Sequence, residues 1–322
     1  MSSSRAARGV ALALLGGICW GFSGACGQFL FNDYGVDPLW LSAVRMLSGG
    51  VLLLAVCLCR APWRASLKGA LTSSKDLGRL ALFAIAGLMA CQVCYLFAIK
   101  YSNAGTATVL QYVGPVLIVV FVCLKGARLP RLREVAAIIC VLAGTFLLAT
   151  HGNLATMVLS PEGLTWGLLA ALTVALYTLL PVGLMDRWGA IPVTSASLMI
   201  GGVCMAVIAR PWVNPPALDG AGILAVAMMV VFGTVLAFAF YLQSVTDIGA
   251  AKASLIASVE TVSATAFAVL WLGTVFTAMD LIGFVFIMAT VFILMERRKS
   301  PADQAAETSA ALAAEQAVEP EA

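Results

Sequence analysis

Long apolar runs, cut by short clusters of charges, prolines and turn residues, dominate this chain. A membrane-spanning helix needs about 20 mostly apolar residues. Ten runs approach or meet that length: 9–30, 38–59, 78–99, 104–124, 132–150, 162–182, 192–210, 221–244, 250–271 and 278–296. Hydropathy alone would merge the third with the fourth and the eighth with the ninth. The polar breaks at 100–103 and 246–249 argue instead for separate helices joined by tight turns. The expected fold class is all-α integral membrane, with ten transmembrane helices.

Composition narrows the class further. Of 322 residues, 61% are hydrophobic and 11% charged, against roughly 25% charged in a soluble domain. The mean hydropathy is +1.00. The net charge of +3 is small and its cations are spread over short loops, so there is no footprint for nucleic acid. The nine cysteines all fall in apolar runs, where cysteine packs as a small hydrophobe. Cys91 and Cys94 form a CxxC, but the basic or histidine partners that suit a reactive or metal-binding pair are missing nearby. No metal and no cofactor is expected. The first run, 9–30, follows Arg5 and Arg8 and is longer than the ~7–15 apolar residues of a secretory signal. It is read as a retained spanning helix.

Cytoplasmic loops carry the excess of Lys and Arg, and this fixes the orientation. Placing the N-terminus inside puts Arg5, Arg8, the loop from Arg60 to Arg79 and the cluster Lys125, Arg128, Arg131 and Arg133 in the cytoplasm. Arg187, Lys252 and the trio Arg297, Arg298 and Lys299 join them, while only Lys100 and Arg210 fall outside. Both termini are then cytoplasmic. From residue 300 the tail holds five acids, no base and two prolines, a composition that reads as disordered or weakly helical.

The chain also repeats. Residues 95–116 and 241–262 both open on Tyr-Leu, and Ala104/Ala250, Ala107/Ala253, Val113/Val259 and Val116/Val262 match in register. Gly9 aligns with Gly163, and Pro38 with Pro192, where each second helix begins. Ten spans divide into five and five, and an odd number per copy inverts the second copy in the bilayer. The expected organisation is a cytoplasmic N-terminus (1–8), a first five-helix repeat (9–150) and an extracytoplasmic loop (151–161). A second repeat (162–296) and a cytoplasmic acidic tail (297–322) follow. Secondary transporters commonly have this architecture, with the substrate site between the copies.

These residues resemble the drug/metabolite transporter superfamily, in particular its transporters with paired EamA domains. The likeness is carried by Trp20-Gly21, by Pro38 with Arg45, by Ala104-Gly105-Thr106-Ala107, by Tyr112-Val113-Gly114-Pro115 and by Ser258-Val259-Glu260. It covers about residues 9–296. Thr261 stands where the family often has proline after the ninth-helix acid, and Ala127 and Thr274 occupy regions where it often has glutamate. The resemblance implies transport of small metabolites, commonly amino acids or related compounds and often by export, at the cell inner membrane.

Charge in mid-span costs ~2.5–3.5 kcal/mol on insertion scales, and Arg45 and Glu260 are the two residues that clearly accept it. Arg45 would hold a carboxylate through its planar fork, and Glu260 an amine or a proton; the bland alternative is a structural Arg–Glu pair. Gln92 and Tyr95 share a face of the third helix, and Gln111 and Tyr112 lie on the fourth. Tyr241 is the repeat mate of Tyr95, Tyr177 lies within the sixth span, and Trp20 and Ser23 are three apart in the first. Ser263 lies three residues beyond Glu260 on a small-residue face with Ala253, Ala257 and Ala264. These eleven are the candidate substrate-binding or coupling residues, and none is read as catalytic. Lys252, near the cytoplasmic end, reads as a snorkelling side chain or a gate. The stripe Gly17, Gly21, Gly24, Gly27 and Gln28 would let the first helix approach its neighbours, and Pro115 and Pro181 would bend theirs.

The leading expectation is a secondary transporter working by alternating access, with a proton cycle as the natural use of one buried acid. Its partners would be a small-molecule substrate, protons and the lipid bilayer, as a monomer or homodimer. The competing readings are a facilitative or importing carrier for an organic acid, sugar or nucleoside-like solute, an integral membrane enzyme, and a channel. An enzyme would need convergent His, Asp or Glu at the interface, and a channel a polar stripe or charged ring. No GxxxxGK[ST] phosphate loop is present.

Overall fold

A computed structural model describes residues 3–125, 129–153, 157–248, 253 and 256–294. Ala127, Lys252 and the tail 297–322, all singled out above, lie outside the described residues. Those described are helical with connecting turns, and no strand occurs among them.

Helix α1 (Ser3–Tyr34) is followed by α2 (Pro38–Leu58), whose start is fixed by Pro38 in the first turn and by the Asp37 carboxylate accepting from the Leu39 N–H. The expected loop between the second and third spans is largely helical: α3 (Ala61–Thr72) runs directly into α4 (Ser74–Leu82). Pro62 nucleates α3, and Leu67 and Ala70 bury its inner face, a short amphipathic pattern that a 20-residue reading frame passes over. A π-helical turn, Phe83–Met89, joins α4 to α5 (Ala90–Tyr101).

The fourth span was expected as one helix and is two, α6 (Ala104–Gln111) and α7 (Gly114–Lys125), parted by a turn at Tyr112 and Val113. Pro115 has no N–H to offer the Gln111 carbonyl, so the α-helical ladder stops there. Next come α8 (Leu132–Thr150) and α9 (Pro161–Leu179). Helix α9 ends before Pro181, and the short α10 (Val182–Trp188) takes up the chain. Helix α11 (Ala190–Ala209) carries Pro192 in its first turn. Then α12 (Gly220–Val230), a second π-helical turn (Val231–Leu236) and α13 (Ala237–Ile248) form one continuous rod. Helices α14 (Val259–Leu270) and α15 (Ala278–Leu294) close the order.

Eight of these segments are long and apolar enough to cross a membrane. The ninth and tenth expected spans correspond to the shorter apolar helices α14 and α15. The third and the eighth expected spans each carry a π-helical turn. A turn at Ser258 precedes α14 as the turn at Tyr112 precedes α7.

Helix α1 packs on α13 and α14, while α9 packs on α5, α6 and α7. Helix α2 lies against α11, and α8 against α15. Two crossings are reciprocal. A Cβ on Gly50 would lie 3.1 Å from the Met199 nitrogen, and one on Gly202 would lie 2.9 Å from the Leu47 nitrogen. Likewise, a Cβ on Gly144 would meet the Gly283 carbonyl oxygen at 2.8 Å, and one on Gly283 would meet that of Gly144 at 3.0 Å. Small residues at such points let backbones approach where lipid supplies no hydrophobic drive between helices.

Three apolar clusters fill the interior. One, around Leu30, Leu41, Leu96 and Met229, joins α1, α2, α5 and α12. A second, around Met46, Phe83, Leu184 and Leu198, ties α2 and α11 to α10. The third, around Leu110, Val141 and Ile287, sits between α6, α8 and α15. Eight cysteines are buried or half-buried, whereas Cys59, at the end of α2, is exposed rather than packed.

Candidate functional site

A cavity of about 360 Å3 lies where these helices converge. Arg45 reaches it from α2 and Glu260 from the first turn of α14. Gln92 and Tyr95 arrive from α5, and Gln111 and Tyr112 from the break between α6 and α7. Trp20, Tyr177 and Tyr241 complete the set of candidates that the fold brings together.

Two candidates stand apart from the lining. Ser263 is not among the cavity residues; it lies at the α1–α14 crossing, where its hydroxyl donates to the Glu260 carbonyl of its own helix at 2.9 Å and reaches the Gly17 carbonyl of α1 at 3.4 Å. A Cβ on Gly21 would sit 2.0 Å from the Ser263 Oγ, so the small-residue face is a helix contact at Ser263, whereas Ala257 lines the cavity. Ser23 is 1% exposed and lies against the π-helical turn, where a Cβ on Gly233 would sit 2.0 Å from its Oγ. Its hydroxyl has no hydrogen-bond partner.

Arg45 is the most unusual group. It is 5% exposed, and its Nη2 reaches the Gly233 carbonyl at 3.4 Å. Its Nε and Nη1 have no hydrogen-bond partner. No ion pair joins it to Glu260, so the structural Arg–Glu pair does not form. A buried guanidinium with two idle donors is costly and is suited to an anion arriving from the cavity.

The aromatic walls are held in place. Thr108 donates its one hydroxyl hydrogen to the Ala104 carbonyl at 2.8 Å, so the 2.8 Å contact with Tyr95 is a bond donated by the tyrosine. The Tyr95 oxygen is left to accept. Trp20 packs against Tyr241 and Phe238 at ring-centroid distances of 5.3 and 5.6 Å. Tyr177 packs on Phe83 at 5.7 Å. Pro115 and Pro181 withhold N–H groups from the carbonyls of Gln111 and Tyr177, two lining residues. Helix ladders therefore break at the cavity wall.

The sequence reading missed other lining residues, among them Cys91, Phe238 and Thr178. Helical spacing held a signal for two: Cys91 is four residues from Tyr95, and Phe238 three from Tyr241.

Outside the apolar spans, two carboxylates fasten helix ends. Asp247 accepts from Arg8 Nε at 2.8 Å and from Arg5 Nε at 3.2 Å. The Arg8 hydrogen bond is the main reason its acid form is disfavoured, down to about 2. Asp219 caps α12 by accepting from the Gly222 N–H at 2.9 Å. The Tyr34 hydroxyl and that N–H hold it below the usual carboxylate range.

The EamA-like transporter family profile matches this chain twice, over residues 7–150 and 161–296. An uncharacterized inner membrane transporter of Salmonella typhimurium, YicL, is 33% identical over 294 residues, covering 91% of this chain and 96% of that protein. An uncharacterized transporter of Clostridium kluyveri is 24% identical over 313 residues, covering 94% and 99% respectively. One crystal structure superposes with a TM-score of 0.60 at 19% identity, covering 93% of this chain and all of the other, and that likeness concerns the fold alone. With apolar helices throughout and a double family match, this chain belongs to the EamA-like transporter family and is a multi-pass inner-membrane transporter.

Proposed function

We propose that the protein is a secondary transporter that exports an amino acid or a closely related zwitterion by alternating access. The observation that carries this reading is Arg45, buried at the cavity with two unpaired guanidinium nitrogens, opposite a carboxylate with which it forms no ion pair. Arg45 receives the solute carboxylate. Glu260 receives the amine, or a proton when the solute leaves. The volume lies within the ~300–1,000 Å3 of small-molecule sites. Walls of Trp20, Tyr95, Tyr112, Tyr177 and Tyr241 suit an apolar side chain between the two charged ends.

Ten spans carry the cycle as two five-helix repeats, about 9–150 and 162–296, inserted in opposite senses with both termini in the cytoplasm. The reciprocal glycine crossings support this, because the second helix of one half meets the second helix of the other, and the fifth meets the fifth. The exchanged packing of α1 and α9 supports it too. The matching π-helical turns give each half a distorted third segment beside the cavity.

Purified protein in liposomes preloaded with unlabelled amino acids provides the test. Saturable entry of labelled solute, accelerated by the internal load, is the expected result. Absence of counterflow for every proteinogenic amino acid would overturn the assignment of substrate class, and a flux linear in concentration would overturn the carrier.

A further inference from the structure

One buried side chain ties three elements of the structure together. Gln28 of α1 is 4% exposed and uses both ends of its amide. Its Nε2 donates to the Thr274 hydroxyl at 2.8 Å, and its Oε1 accepts from the Ala104 N–H at 2.8 Å. Three elements are joined: α1, the N-terminus of α6, and the segment between α14 and α15. Aromatic rings pack around the same end of α1. Trp271 stacks on Phe29 and Phe22 at 5.3 and 5.9 Å, and Phe22 meets Phe267 and Phe232 edge-on.

In the orientation proposed above, Ala104, Thr274 and the end of α1 lie at the extracytoplasmic side. The cavity itself runs the other way, to Ile118 on α7, Thr178 near the end of α9 and Tyr241 on α13. These positions lie in the cytoplasmic halves of their spans. We infer that Gln28 is the outer gate residue of this transporter: its two hydrogen bonds hold the extracytoplasmic entrance shut while the cavity faces the cytoplasm. Opening outward requires all three groups to exchange partners, and an Ala104 N–H left dry would be an unsatisfied helix N-terminal donor. Water entering from outside supplies the replacement, so the bond breaks only as that side opens.

This inference rests on the proposed orientation, and Cys91 tests the two separately. Cys91 lines the cavity and is half-buried. Right-side-out and inside-out vesicles holding the full chain are treated with a membrane-impermeant methanethiosulfonate, and modification at Cys91 is followed by peptide mass spectrometry. Modification is expected from the cytoplasmic side and much slower from outside. Gln28→Ala should speed outside modification at least about fivefold, the population shift expected from losing about one net hydrogen bond. Thr274→Val, which removes only the Gln28–Thr274 bond, should act in the same direction and keeps the test available if the first variant misfolds. Equal modification of native Cys91 from both sides would overturn the closed outer face. No acceleration in either variant would overturn the role of Gln28. A Val213→Cys variant, exposed in the loop before α12, reports orientation on its own: labelling only from the cytoplasmic side would overturn the orientation and not the latch.

Discussion

Arg45 and Glu260 face one cavity from α2 and α14 without an ion pair between them. Neither head group is therefore committed to the other, and each is available to a third party. A direct pair would have neutralised both groups and left the cavity a packing defect. The separation makes their roles independently testable.

Glu260 is the one carboxylate among the described residues that line the cavity. Replacing it by glutamine keeps shape and hydrogen bonding but removes the proton site. In liposomes, Glu260→Gln should lose uptake driven by a pH gradient while keeping its thermal transition. Gradient dependence equal to that of the native protein would remove Glu260 as proton carrier.

Arg45 is expected to trade stability for function. Its Nε and Nη1 are buried without partners, and a buried unpaired charge carries a desolvation cost that an apolar side chain does not. Arg45→Met should raise the Tm of substrate-free protein in detergent by about 2 °C or more while abolishing counterflow. A lowered Tm would show that the guanidinium contributes to folding.

At the α8–α15 crossing, Gly144 and Gly283 each lean on the other's backbone. Alanine at either position forces the helices apart, at about 1–3 kcal/mol. Once one substitution has separated them, the second finds room, so the double variant should cost less than the two singles added. Full additivity in unfolding experiments would mean that the two contacts are independent.

Asp247 gives a pH dependence whose sign can be worked out. Its folded pKa, about 2, lies below the ordinary carboxylate value of about 3.9, chiefly through the Arg8 hydrogen bond. A depressed pKa contributes stability that is present above the unfolded value and lost as pH falls through the folded one. The native Tm should decline between about pH 4 and pH 2, and Asp247→Asn should be less stable at neutral pH with a shallower decline. An unchanged profile in that variant would assign the acid transition to other carboxylates.

Most helices were legible because bilayer crossing imposes a length and a composition that local sequence must meet. The third segment is a case in which only part was visible. Its apolar run announced a helix, but no residue type marks the π-helical turn at Phe83–Met89, which packs against α9 and α11. Pro115 did carry its signal, since a missing N–H breaks a ladder wherever it occurs. Helix α3 was overlooked because a 12-residue surface helix is too short for the span criterion.

The site shows the same division. Arg45 and Glu260 stood out from sequence because charge in hydrocarbon is rare and costly. Ser263 did not belong with them: helical spacing put it near Glu260, and only the approach of Gly21 decided that its face meets α1. Gln28 was grouped with a glycine stripe, and its partners lie 76 and 246 residues away. By itself the sequence determined the apolar spans and the residues too polar to sit idle within them. Which of those side chains meet around one cavity, and which bind helix to helix, was decided by the tertiary structure, because the interhelical distances that settle it depend on residues far apart in the chain.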